Sequence, residues 1–190
     1  MTQMRNVVLA SCLALSLAAL AQAPAPAPAA APSSSFQSDA VGVMGHTQKE
    51  MVSLEQAMPQ NKFSWRPAKG VRSVSEVYLH AAGSAYFFGK MLGFTVPADV
   101  EAKMKDFEKS TTDKAKIEKA LTEAFDWFGG QVKAMPDSEL TKTVNFFGRD
   151  LTKRALVMIT LGHFQEHLGQ SIAYARSNGV VPPWSKSDKS

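Results

Sequence analysis

From about residue 36 onward the apolar positions recur at helical spacing, and almost nothing alternates with the period of a strand. Met44, Met51, Leu54 and Met58 form one stripe and predict a first helix from Ser38 or Asp39 to Met58, stopped by Pro59. Phe63-Ser64-Trp65-Arg66-Pro67 reads as an extended connector, because Pro67 disfavours helix at Arg66. Ser73-Val74-Ser75-Glu76 fits a capping box and opens a second helix. Its stripe is Val74, Ala81, Ala85, Phe88 and Leu92, and Gly93 ends it. A short helix from Pro97 to Lys109 is expected next. A third long helix opens near Ser110–Thr112, carries Ile117, Leu121, Phe125, Phe128, Val132 and Met135, and breaks at Pro136. A fourth is expected from about Asp150 to Ser177, with Asn178-Gly179 as its left-handed stop. Between Thr143 and Gly148 the pattern leaves loop, short strand and early helix open.

Four long amphipathic helices in about 150 residues predict an all-α fold, a four-helix bundle. On the last helix Ala155, Gly162 and Gly169 recur every seven positions. A glycine inside a helix costs about 1 kcal/mol relative to Ala, and close helix packing is the expected compensation.

The start of the chain has a different texture. Arg5 is followed by an apolar run from Val7 to Ala21, and Ala19, Ala21 and Ala23 offer small-x-small cleavage sites. Residues 1–23 therefore read as a secretory signal peptide, whose apolar run is too short to span a bilayer and is followed by no stop-transfer cluster. Leu9-Ala10-Ser11-Cys12 also fits a lipoprotein box. Only Val7 to Ala10 precede Cys12 as an apolar stretch, so cleavage near Ala21 is favoured over a lipid anchor. Residues 24–37 are a Pro/Ala/Ser-rich linker that favours extended backbone and builds no core. The expected division is signal 1–23, linker 24–37, bundle 38–185 and tail 186–190. An exported protein, periplasmic or secreted, with no stable membrane insertion after cleavage, is the consequence.

Composition narrows the chemistry. With 45% hydrophobic and 20% charged residues, the chain is globular rather than disordered. Its formal charge of +4 is spread without a basic run, which argues against a nucleic-acid partner. Cys12 is the single cysteine, which excludes an internal disulfide framework and any Cys-rich metal site. Histidine is left as the candidate metal ligand. His163 and His167 stand four apart, ~40° around a helix and ~6 Å along it, so one face can present both imidazoles to one ion. His80, midway along the second helix among Val77, Ser84, Phe87 and Met91, can supply a third ligand. Gln170 and Tyr174 continue the His163/His167 face and are candidates for lining a pocket. His46, beside Glu50 and Ser53, reads as exposed, Glu166 as a surface charge and Glu76 as the capping residue. Spacing alone leaves the alternative open that these histidines are surface or core-edge residues.

Three segments carry a resemblance: residues 63–67 (FSWRP), residues 73–80 (SVSEVYLH) and residues 161–170 (LGHFQEHLGQ), with residues 174–184 similar as well. Over residues 38–185 the chain resembles the DinB-like superfamily of bacterial four-helix bundles, the DinB/YfiT-like metalloenzymes, unrelated to the DNA polymerase of that name. The resemblance implies an up-down-down-up bundle and a divalent metal, zinc or nickel, on His80, His163 and His167. It also implies a small-molecule substrate and, in S-transferase and isomerase relatives, a low-molecular-weight thiol cosubstrate. A homodimer is a further expectation. No protein nucleophile or general base is named by any motif, so the catalytic residue is unknown at this stage. The expected function is an exported metal-dependent enzyme activating a thiol or water, S-transferase-like or hydrolase-like. The alternative is a non-catalytic metal- or small-ligand-binding bundle.

Overall fold

The structure, a computed structural model, describes residues 35–185. The expected signal peptide, all of the linker but its last three residues, Cys12 and the tail lie outside the described residues. Among the described residues no helix is long and apolar enough to cross a membrane.

Helix α1 (Phe36–Ala57) starts ahead of Ser38 because Ser35 caps it, its hydroxyl accepting from the Ser38 N–H. Helix α2 (Val74–Leu92) opens with the full capping box: Ser73 accepts from the Glu76 N–H, and the Glu76 carboxylate accepts from the Ser73 N–H. The carbonyls of Trp65 and Phe63 accept from the next two free N–H groups, at Val74 and Ser75. The connector that supplies them begins as a turn at Phe63 and Ser64 and extends only afterwards. Gly93, at φ 90°, turns the chain out of α2, as the sequence predicts.

The expected helix 97–109 is instead one α turn, α3 (Ala98–Glu101), followed by a 3₁₀ segment, Met104–Lys109. Helix α4 (Lys114–Ala134) is capped by Asp113, and the single turn α5 (Asp137–Leu140) follows. The undecided stretch is a hairpin: β1 (Thr143–Phe146) pairs antiparallel with β2 (Arg149–Thr152). The two-residue loop Phe147-Gly148 has φ of 49° and 85°, the signature of a type I′ turn. Helix α6 (Lys153–Ser177) therefore starts three residues later than expected, with Thr152 as its cap.

The four long helices form a square. Gln48 with Asp126 and Gln56 with Glu118 pair α1 and α4 antiparallel, and Gln37 reaches Asp137 at the start of α5. Helices α2 and α6 run antiparallel as well, from the Arg72–Tyr174 end to the Phe88–His163 end. Arg154 over the Phe36 ring sets α1 and α6 parallel. The order is up-down-down-up, with consecutive α1 and α2 on one diagonal and α4 and α6 on the other. Phe125, Phe128 and Phe164 meet at its centre, ring centroids 4.3 and 5.8 Å apart. The indole of Trp127 lies against α2 at Gly89, where a Cβ would overlap the ring. Gly162 and Gly169, by contrast, do not serve packing: both are exposed, and a Cβ at either would meet nothing. The buried stripe of α6 runs through Val157, Leu161, Phe164, Leu168 and Ala175, and the glycines fall outside it.

Among the described residues one carboxylic acid sits in the core. Glu55 is fully buried, and neither carboxyl oxygen has a hydrogen-bond partner. Burial pushes its pKa up to about 7, with Lys114 opposing and Glu118 adding to the rise. The folded state therefore keeps a proton that the unfolded chain releases near 4.5. This contribution to stability is complete below that pH and is lost as pH rises towards 7. Between pH 5 and 8 the Glu55→Gln variant is expected to gain roughly 2–3 kcal/mol on the wild type. Urea unfolding at the two pH values measures it, and a constant difference overturns the assignment.

Candidate metal centre

His80 lies on the α2 face towards α6, and His163 and His167 on successive turns of α6 facing back. Antiparallel packing brings the three rings together, with centroids 5.2, 4.6 and 4.4 Å apart. One ring nitrogen of each falls within 4.8 Å of the others.

Each ring is oriented by a different partner. The Nδ1–H of His80 donates to Glu108 Oε2 at 2.9 Å, and Arg72 Nε donates to the other oxygen at 2.8 Å. Burial alone would raise the Glu108 carboxyl, but the hydrogen bonds from Arg72 and His80 outweigh it and hold it below the ordinary range. An ionised Glu108 fixes the His80 proton on Nδ1 and leaves Nε2 with its lone pair. His167 Nδ1 donates to Gln170 Oε1 at 2.9 Å, and Gln170 Nε2 donates to the Tyr174 hydroxyl at 3.2 Å. That hydroxyl donates to the Arg72 carbonyl at 3.1 Å, so the relay returns to the strand of chain entering α2. His163 Nε2 and the Ser84 hydroxyl are 2.8 Å apart.

The result is a set of ligand-ready rings. Burial, then the neighbouring imidazoles and Arg72, lower His163 to about 4. Burial and Arg72 also lower His80, against the pull of Glu108. His167 Nε2 is buried with no hydrogen-bond partner. An orphaned buried acceptor of this kind costs about 1–3 kcal/mol. Three convergent imidazoles, one with a buried ring nitrogen otherwise unsatisfied, are a donor set that fits a divalent ion of the zinc or nickel class.

A pocket of about 370 Å³ opens beside the histidines. His80, Ser84, Glu108 and His163 make its polar end, and Leu79, Phe87, Phe88, Met104, Phe107 and Phe147 its apolar walls. Gln170 and Tyr174 stand behind His167, off these walls, and Gln170 lines a neighbouring depression together with Arg72, Glu76 and Glu108. His46 is exposed and pairs with Glu50, Glu166 is exposed, and Glu76 caps α2 while pairing with Arg66. Glu108 escaped sequence reading because it lies 28 residues beyond His80, in the 3₁₀ segment, with no spacing rule to connect them. The wall residues Phe107 and Phe147 carried no local signal either.

With this geometry in hand, sequence comparison is decisive for the family. Residues 45–171 match the DinB superfamily. The chain belongs to that superfamily. No curated protein matches the chain in sequence. Three solved structures share the DinB fold at low identity. A DinB-like protein from Bacillus cereus ATCC 10987 superposes with a TM-score of 0.67 at 18% identity, over 78% of this chain and 98% of its own. A DinB-like protein from Bacillus subtilis gives 0.59 at 16%, over 75% and 94%. YfiT from Bacillus subtilis, described as a probable metal-dependent hydrolase with an unusual four-helix bundle topology, gives 0.59 at 14%, over 82% and 94%.

The Tyr174 hydroxyl links α6 to the entry of α2, so its loss is expected to cost about 1 kcal/mol. Denaturant unfolding of Tyr174→Phe, which keeps the edge contact of the ring with Trp65, measures that link.

Proposed function

We propose that this DinB-superfamily chain is a metal-dependent enzyme whose divalent ion, zinc or nickel, is held by His80, His163 and His167. The observation that carries the reading is the buried, unpartnered His167 Nε2 facing two further imidazoles. Such an ion, when bound, supplies Lewis-acid polarisation and lowers the pKa of a nucleophile, water or a thiol. The protein's own work is positioning. Glu108 holds His80 in the tautomer that exposes Nε2, and the Gln170–Tyr174 relay does the same for His167. Ser84 orients His163 and stands with Glu108 at the polar end of the pocket, where a reacting group would lie.

Water is favoured over a thiol as the nucleophile, by analogy with the probable metal-dependent hydrolase of the same fold. The reading extends to an exported protein acting on a small molecule, supported by the apolar N-terminal run and the linker after it.

Metal analysis of the purified protein tests this most directly. About one equivalent of zinc or nickel is expected, together with a higher Tm on adding the ion. His163→Ala should abolish both. Glu108→Gln should weaken the ion's affinity about 10–100-fold while leaving the fold intact. Hydrolysis of p-nitrophenyl esters should be lost on chelation and restored by the ion. A wild-type protein that takes up neither metal overturns the proposal.

A further inference from the structure

The pocket beside the histidines is chemically lopsided, polar at one end and hydrocarbon elsewhere. Its outer wall includes two exposed phenylalanines. Phe87 on α2 and Phe147 at the hairpin tip are 42% and 76% exposed, with rings near-parallel at 21° and centroids 6.3 Å apart. Two large apolar side chains in water at one opening are an uncovered binding surface.

Phe147 is also in the wrong place for local structure. It is the one non-glycine with positive φ among the described residues. A type I′ turn favours Asn or Gly there, and a bulky side chain is strained in it. The chain carries that strain while holding the ring over the cleft and against Phe87. Beyond Phe87 and Met104, which they share, a second depression of about 340 Å³ continues towards Lys90 and Glu101. The apolar surface is therefore long and leads away from the imidazoles.

We propose that the substrate carries an aryl or arylalkyl arm, packed in the cleft along Phe87 and Phe147, with its polar reacting group at the histidines. Phe87, Met104, Phe107 and Phe147 are then the residues that set specificity. This rests on the metal-centre reading for the polar end alone. The cleft itself holds the arm with or without an ion.

Calorimetric titration of the zinc-loaded protein with acetohydroxamate, phenylacetohydroxamate and 4-phenylbutyrohydroxamate tests it, the hydroxamate serving as a common metal-binding head. Affinity is expected to rise at least tenfold from the methyl to the phenyl compounds. In Phe147→Asn, which keeps the turn, and in Phe87→Ala, the ratio of phenyl to methyl affinity should fall at least threefold. Affinities within twofold of one another across the series overturn the proposal. In metal-free protein, benzyl alcohol should shift the Met104 methyl resonance in wild type and not in Phe147→Asn. Failure to bind either zinc or nickel removes the proposed function but not this inference, which the benzyl alcohol titration then decides alone. An unmoved Met104 signal in wild type overturns it.

Discussion

Bringing three imidazoles into one partly buried space is unfavourable unless every ring nitrogen finds a use, and much of the molecule is arranged around that demand. Helix α2 must run antiparallel to α6 at a register that sets His80 opposite both His163 and His167. The segments before α2 and after α3 supply Arg72 and Glu108. Glu108 is common to both demands: it is ionised by its bond to Arg72 and so can dictate where the His80 proton sits. The Gln170–Tyr174 relay ends on the Arg72 carbonyl, which joins the second ring's support to the same short stretch of chain.

The molecule divides its labour by secondary structure. Long, rigid helices hold the three histidines, where small displacements would spoil a shared ligand geometry. The walls of the adjoining cleft come partly from a 3₁₀ segment and a two-stranded hairpin, elements that contribute little to the core. Identities of 14–18% to structures of the same fold fit this division, since a bundle tolerates wide substitution where pattern and volume are kept.

Most of the helical architecture was legible in the sequence because the signals were local. Ser73 and Glu76, Gly93, and Asn178-Gly179 act within one or two turns, and the structure uses each as expected. The His163/His167 pair was legible for the same reason, helix geometry fixing their separation. His80 was a candidate from its apolar neighbours and was tied to the pair by the family resemblance, while Glu108 and Ser84 were invisible as ring partners because only tertiary packing brings them there. The hairpin stayed undecided because Asn145 and Gly148 flank Phe146-Phe147 rather than forming the Asn-Gly pair that announces a type I′ turn. The glycines of α6 misled through their regular spacing, which carried no information about which face meets the bundle.

The up-down-down-up order has a kinetic consequence. In a simple up-and-down bundle each helix docks on its sequence neighbour, and a helical hairpin forms early by closing a short loop. Here the antiparallel partners are far apart along the chain: Gln48 and Asp126 are separated by 78 positions, Ser84 and His163 by 79. Neither contact can be made until most of the chain has been synthesised and a long loop has been closed against its entropy. Folding should accordingly be slow for an all-helical domain of this size, with a rate set by distant docking rather than by helix formation.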